Sequence, residues 1–269
     1  MSVKLIAIDL DGTLLNSHHQ VSDRIKTTIA EAKSRGIQVV LASGRPYAGI
    51  KQYLAELELN RREYFCISNN GSVVHQADTG EHLTEFLLDF KSYQELELLS
   101  RQIDISMHAL ANNAIFTANK KIGPYTVHES YLTQTPLIYC PVDEMNPNLS
   151  FTKIMLSGLP EQLSRAESKI PADFYQKYTL VKSTPFFLEC LNLGANKGIA
   201  MQVIADKLNI NYDEMMCIGD QNNDLPMFDY AKHKIAMGNA ADAIKDKATF
   251  VTKSNDEDGV AVAIEKFIS

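Results

Sequence analysis

The run Val3-Lys4-Leu5-Ile6-Ala7-Ile8-Asp9-Leu10-Asp11-Gly12-Thr13 constrains this 269-residue chain more than any other stretch, because an apolar, β-branched segment stops abruptly at two carboxylates, a glycine and a threonine. It reads as a buried strand with chemistry at its tip. Residues two apart on a strand share a face, so Asp9 and Asp11 lie on the same side, and Gly12 lets the chain turn away in a conformation other residues resist. At about 4 Å and an effective dielectric of about 20, two carboxylates repel by roughly 4 kcal/mol. A shared proton, a cation or divergence into water must offset that repulsion. Taken alone, Asp-x-Asp-Gly is more often a turn with two solvated acids, so the rest of the chain has to decide.

The pattern of strand followed by polar turn recurs. Ser22 and Asp23 predict a helix start, Ile25, Ile29 and Ala32 recur on one face, and Gly36 supplies the stop. Ile37-Gln38-Val39-Val40-Leu41-Ala42 reads as a second buried strand, ending in Ser43-Gly44-Arg45-Pro46. Ile50, Tyr53, Leu54 and Leu57 form a helical stripe, residues 64–68 a third strand, and Asn70-Gly71 a hairpin-turn signal into Val73 and Val74. Strand, helix, strand, helix, strand predicts right-handed crossovers and a parallel sheet, whose ligands sit at the carboxyl ends of the strands. Asp9, Asp11 and Ser43 all fall there. No G-x-G-x-x-G follows the first strand, which disfavours a dinucleotide site.

From about residue 85 the texture changes. Ser92-x-x-Glu95 has the form of a capping box opening a helix with Leu96, Leu99 and Ile103 on one side. Strands are expected around 104–110 and 114–119, joined through Asn112-Asn113. A helix near 124–131, a Pro- and Asn-rich connection over 135–148, a strand over 151–157, a helix after Pro160 and strands around 178–182 and 186–191 follow. This mixture predicts an α+β unit with an open antiparallel sheet, residues 85–191, inserted into an α/β core of residues 1–84 and 192–269. Where the core resumes, Asn196 is the expected N-cap of a helix with Ile199, Val203 and Leu208 inward. Residues 215–218 form a fourth buried strand, and Val260, Ile264 and Phe267 mark a terminal amphipathic helix.

Composition restricts the function classes. With 45% hydrophobic and 22% charged residues the chain reads as an ordinary globular protein. Its 26 basic and 33 acidic side chains give a formal charge of -7, which disfavours a nucleic-acid or anionic-membrane binder, since both need a basic surface. A small anionic substrate stays open, because a local cation can dominate a pocket. Cys66, Cys140, Cys190 and Cys217 form no C-x-x-C pair and point to reduced thiols rather than to zinc or redox chemistry. Without a leader-like N-terminus or an apolar run of membrane-spanning length, the expected location is cytoplasmic.

Three strand ends carry polar clusters: Asp9 with Asp11, Ser43, and Asp220 with Asp224 in Gly219-Asp220-Gln221-Asn222-Asn223-Asp224. Four carboxylates converging on one sheet edge repel strongly without a cation, and an all-oxygen ligand set completed by water suits Mg²⁺ far better than zinc. An EF-hand fails, because Ala231 stands where its final glutamate is needed. Mg²⁺, a lysine, a hydroxyl and backbone amides at strand and helix ends are what a phosphoryl group requires. One carboxylate can attack phosphorus while a second, two residues on, protonates the leaving oxygen and then activates water. None of the seven histidines sits beside these residues in sequence.

Asp9-Leu10-Asp11-Gly12-Thr13, Ser43-Gly44-Arg45-Pro46, Asn196-Lys197-Gly198 and Gly219-Asp220-x-x-Asn223-Asp224 resemble, in order and spacing, the four motifs of the haloacid-dehalogenase superfamily of phosphatases. The large insert between the second and third resembles its Cof-type sugar-phosphatase branch, and the likeness extends to Thr252-Lys253-Ser254-Asn255 and Asp258-Gly259-Val260-Ala261. The resemblance implies a Rossmann-like, doubly wound parallel sheet with an inserted α+β cap. It implies a Mg²⁺-dependent phosphatase acting on small phosphorylated metabolites, sugar phosphates foremost, through an aspartyl-phosphate. Asp9 would be nucleophile and metal ligand, and Asp11 the general acid/base that also reaches the metal through its backbone carbonyl. Asp220 would bind the metal, and Leu10 and Gly44 amides, Ser43, Lys197 and Asn223 the phosphate, with Asp224 orienting Lys197 or a metal-bound water. An aspartate at position 11 argues against dehalogenation, which has no leaving oxygen to protonate. The rival readings are a phosphomutase, which shares the aspartyl-phosphate, and a receiver-like signalling module, which lacks a large insert.

Placed between the second and third motifs, the insert is expected to act as a lid that excludes water and touches the part of the substrate the core cannot reach. His108, Asn112, Tyr125 and His128 are its candidates to line a substrate pocket, although packing within the folded unit is the commoner role. Arg45 is expected either to reach substrate or to pair with an acid.

Overall fold

The computed structural model of the chain describes residues 2–111 and 114–268. They divide into two compact units, Met1–Thr84 with Asn196–Ser269, and Glu85–Ala195.

In the first unit one sheet runs in the order Phe250–Val251, His233–Ala236, Met215–Gly219, Leu5–Asp9, Gln38–Ala42, Phe65–Ser68, Val73–Gln76, His82–Glu85. The first six strands are parallel, and Phe65–Ser68 returns antiparallel through Val73–Gln76. Leu5–Asp9 is central, and all five of its residues are buried, as a strand covered on both faces requires. Its neighbours are Gln38–Ala42 on one side and Met215–Gly219 on the other, so strand order reverses there and the carboxyl ends diverge into a crevice. The register Ile8↔Ile218 and Asp9↔Ala42 brings Asp9, Ser43 and Asp220 to the same level at that edge.

Helices Asp23–Ser34, Tyr47–Glu56, Lys197–Leu208 and Gly259–Ile268 belong to this unit. Ser22 Oγ caps the first by accepting from Ile25 N at 3.2 Å, and Asn196 Oδ1 caps the third by accepting from Ile199 N at 2.8 Å. Of the stripe expected on the third, Leu208 packs against the core while Ile199 and Val203 are only half-buried, and the fully buried face is formed by Lys197, Gly198, Ala200, Met201, Ile204 and Ala205. The helix is rotated to bury Lys197 and to seat Gly198 on a neighbouring turn, where an added Cβ would lie 2.1 Å from the Pro226 carbonyl oxygen.

The second unit holds a sheet in the order Tyr178–Thr184, Phe187–Asn192, Lys153–Ser157, Ser106–Ala111, Ala114–Thr117, Leu137–Tyr139. Its pairs are antiparallel except the last, which is parallel. That edge strand lies inside the 135–148 stretch read as a connection, and helix Pro124–Thr133 supplies the crossover that a parallel return needs. Helix Phe90–Gln102 begins before the expected capping box: Asp89 is the cap, its Oδ1 accepting from Ser92 N at 2.8 Å and Ser92 Oγ at 2.7 Å. The carboxylate takes both donors, so Ser92 sits inside the first turn. Tyr93, Leu96 and Leu99 pack with Phe151, Ile154, Leu156 and Leu163 as this unit's core. The Asn112-Asn113 turn lies outside the described residues. All four cysteines are free, with Cys66, Cys190 and Cys217 buried.

Two buried histidines make the fold acid-sensitive. His75 in the first unit bonds Ser68 Oγ through Nε2 at 2.8 Å and the Gly80 carbonyl oxygen through Nδ1 at 2.9 Å. Burial pulls its pKa down to about 4. His108 in the second unit bonds Thr126 Oγ1, and burial, with the Lys153 charge beside it, pulls it down to about 3. Both folded pKa values lie below the ordinary 6.5, so unfolding takes up protons once the pH falls below that value. Stability is therefore complete above pH 6.5 and is lost as pH falls towards 4 and 3, with a full cost of about 3 kcal/mol for His75 alone. In a background carrying Asp9→Asn and Asp220→Asn, whose raised carboxyls titrate in the same window with the opposite sign, denaturant midpoints should drop between pH 6.5 and about 5 with a slope that approaches two protons near pH 5, and a flat profile there would refute the assignment.

Candidate active site

At the crevice, Lys197 is the organising group. It is fully buried, and its Nζ donates to Asp9 Oδ1 at 2.5 Å and to Asp224 Oδ1 at 2.7 Å. Burial opposes its charge, but Asp224 and Asp9 together outweigh that and hold the ammonium above its ordinary pKa. Burial, then Asp224, push the Asp9 carboxyl well above the usual carboxylate range, against the pull of Lys197. Asp220, buried at the end of its strand, is pushed up to about 6 by burial first and Asp224 second. Carboxylate oxygens of Asp9, Asp220 and Asp224 lie within 4.8 Å of one another.

Each acid is fixed by local structure. Asp220 Oδ1 accepts from Thr13 Oγ1 at 3.1 Å, and its Oδ2 accepts from Gln221 Nε2 at 3.2 Å. Asp224 Oδ2 accepts from the amides of Asp220 and Gln221 at 2.9 and 3.1 Å, which closes the loop on itself. Gly12 turns with φ +79°, and a Cβ there would lie 2.5 Å from Asp220 Oδ2, so both the backbone geometry and the space demand glycine.

The expected residues fall into three groups. Asp9, Lys197, Asp220 and Asp224 come together, with Asp224 holding Lys197 against Asp9. Ser43, Gly44 and Asn223 are linked through Asn70: Asn70 N donates to the Ser43 carbonyl oxygen at 3.0 Å, and Asn223 Nδ2 donates to Asn70 Oδ1 at 3.0 Å. Leu10 is buried directly after Asp9. The Asp11 carboxylate, by contrast, is about half-exposed and turned to Arg45, whose Nη2 donates to Oδ1 at 2.5 Å and whose Nε donates to Oδ2 at 2.8 Å. Arg45 thus pairs with an acid, Asp11; its guanidinium also lies 5.6 Å from the Tyr53 ring centre.

Sequence reasoning assigned no site role to Thr13, Asn70 or Asn239, the last of which donates to the Gly12 carbonyl oxygen at 2.8 Å. The turn at Asn70 was legible from its Asn-Gly pair, since asparagine tolerates the φ of 55° found there. Its bond to Asn223 was not. In the second unit, His108 is fully buried, Tyr125 stacks on Phe186 at 4.7 Å, and His128 meets the same ring edge-on at 6.2 Å.

The arrangement can hold a hard cation among buried oxygens and an anion beside Lys197. In sequence and fold the chain is similar to known proteins over nearly its whole length. The sequence profile of haloacid dehalogenase-like hydrolases matches residues 6–264. YxeH of Bacillus subtilis is 41% identical over 265 residues, 98% of either chain. The 5-amino-6-(5-phospho-D-ribitylamino)uracil phosphatase YwtE of Bacillus subtilis is 31% identical over 293 residues, covering 99% of each. Among solved structures, a haloacid dehalogenase-like hydrolase from Bacteroides thetaiotaomicron superposes with a TM-score of 0.83 at 32% identity, over 98% of this chain and 99% of that one. With its motifs gathered at the reversal point of a doubly wound sheet, the chain belongs to the haloacid dehalogenase-like hydrolases, in their Cof-type branch, and is a phosphatase.

Proposed function

We propose that this phosphatase is Mg²⁺-dependent and hydrolyses small phosphorylated metabolites, sugar phosphates foremost. The observation that carries the reading is the buried Lys197 clamped between Asp9 and Asp224 with Asp220 in reach. Three buried carboxylates against one ammonium leave negative charge uncompensated, and their all-oxygen donor set fits a hard divalent cation. Asp9, Asp220 and the Asp11 backbone carbonyl would hold Mg²⁺, with Asp224, whose oxygens already serve Lys197 and two backbone amides, orienting the lysine behind them; the ion when bound would neutralise charge on the phosphoryl oxygens. Lys197 holds Oδ1 of Asp9 and leaves Oδ2 to attack phosphorus. Asp11, once released by Arg45, protonates the leaving oxygen and then activates water. The Ser43 hydroxyl, the Leu10 and Gly44 amides, Lys197 and Asn223 receive the phosphate oxygens.

The substrate class draws support from YwtE, whose name places the phosphate on a ribityl chain. Because the first unit's motif residues address phosphate alone, we assign substrate choice to the second unit. The net charge of -7 argues against nucleic-acid and anionic-membrane partners, and among the described residues no helix is long and apolar enough to cross a membrane. A cytoplasmic location accords with the free thiols.

The test is free phosphate. Purified protein given a panel of sugar and polyol phosphates should release it steadily with Mg²⁺, stop in excess chelator and resume when Mg²⁺ is returned. Undiminished release in chelator would remove the metal from the mechanism. Isomerised product without release would make the protein a mutase, and a single stoichiometric phosphorylation a receiver.

A further inference from the structure

The second unit carries a cleft of about 720 Å³ that no catalytic motif explains. It opens where strand Ser106–Ala111 begins and strand Lys153–Ser157 ends, and Ser106 and Ser157 are direct partners across that antiparallel pair. Both line the cleft. Ser157 is 2% exposed, and its Oγ has no hydrogen-bond partner. Along its strand Ile154 and Leu156 enter the unit's core, whereas Ser157 shares the opposite face with Lys153, which pairs with Glu129 of helix Pro124–Thr133. The hydroxyl therefore points to the side where that helix lies.

Two helices start at this cleft. The ten-residue Pro124–Thr133 begins after Gly123 and the eight-residue Pro160–Glu167 after Leu159, and neither N-cap offers a side-chain acceptor to its helix. Each helix begins on a proline, which has no N–H, and Thr126 N already donates to the Gly123 carbonyl oxygen at 3.1 Å, so Tyr125 and Gln162, both lining the cleft, are left to offer first-turn amides at the positive ends of the helix dipoles. Leu159 N is already taken by Gln162 Oε1 at 3.1 Å. Gly123 packs so closely that an added Cβ would lie 2.7 Å from Ser106 Oγ, which draws the first helix start onto the serine pair. Around the rim stand Arg101, Lys120 and Lys121 against one acid, Asp104, with Arg101 partly engaged by Glu97 at 2.6 Å. In a chain of net charge -7 this is a local excess of cations. A metal ion would find a single carboxylate here, and an apolar ligand would strand the hydroxyls.

We infer that this cleft is an oxyanion site that binds the phosphate group of a small molecule. Ser106, Ser157 and the helix-start amides donate to it, and Lys120 and Lys121 balance its charge. Its residues are disjoint from the Asp9 cluster, and the inference stands independently of the phosphatase reading. The test is a titration of isotope-labelled protein in chelator with inorganic phosphate, and in parallel with ribose 5-phosphate, followed through individual amide resonances. Gly123, Tyr125 and Gly158 should shift saturably with phosphate but not with chloride at matched ionic strength. Tighter binding of one probe identifies free phosphate or a phosphate ester as the source. Lys120→Ala with Lys121→Ala should weaken that binding about tenfold through lost charge-assisted contacts, without altering the response of Leu10 and Gly44. Ser157→Ala should also weaken it while leaving the thermal midpoint unchanged or higher, because the hydroxyl it removes is unpaired. No saturable shift at the three amides, an equal response to chloride, or wild-type binding by the lysine variant would overturn the inference.

Discussion

Asp9→Asn is expected to lower turnover on the order of 10⁴-fold or more, the scale on which cooperating catalytic sets fail when one member is removed, while leaving the fold at least as stable. The amide keeps the shape of the side chain and can still accept from Lys197 Nζ, which lies 2.5 Å from Oδ1. It is a poor nucleophile. It also leaves two buried carboxylates, Asp220 and Asp224, against the single ammonium where the native protein has three. Loss of activity should therefore come with an unchanged or raised thermal midpoint in metal-free buffer. Trapping labelled phosphate on the wild-type protein gives the direct check: the label must sit on Asp9, and a label on any other carboxylate would sink the assignment.

Lys197→Met should do the opposite to stability. Removing one partner of a buried ion pair typically costs about 3–5 kcal/mol, and here the lost cation serves two acids at once. Turnover should fall by roughly 10²- to 10³-fold as the phosphoryl group loses a donor and a charge. If the cost comes from stranded carboxylates, adding Asp9→Asn to Lys197→Met should restore part of the lost stability, a positive coupling that a double-mutant cycle measures. Additive losses in denaturant unfolding would mean that Lys197 acts only as packing at the start of its helix.

The contrast between these variants shows what could be read before the fold was known. Apolar runs ending in Asp9, Ser43 and Asp220 were legible because a strand buried on both faces leaves a continuous signal, and the order of elements then forces a parallel sheet. What failed was orientation. Ile199, Val203 and Leu208 form a plausible apolar stripe, yet the helix is turned to bury a lysine fully and the first two of them only in part, since one carboxylate at a strand end and one in a turn outweigh a few methyl groups. The pairing of Asp11 with Arg45 was equally hidden, because an exposed carboxylate chooses its partner by reach and not by sequence spacing. Asp89, three residues ahead of the apparent capping box, was a competing cap that only the hydrogen bonds decide.

The central position of Leu5–Asp9 has a consequence for how the protein comes into being. One flank of that strand pairs with Gln38–Ala42, made soon after it, but the other waits for Met215–Gly219, and the lysine that neutralises Asp9 arrives only at residue 197. During synthesis the N-terminal strand leaves the ribosome with an open edge, while Glu85–Ala195, being contiguous, has all its internal partners in hand before the core can close. Asp9, the proposed nucleophile, thus stands without its counter-charge until residue 197 has been made, so the site cannot assemble before the whole of the second unit has been synthesised.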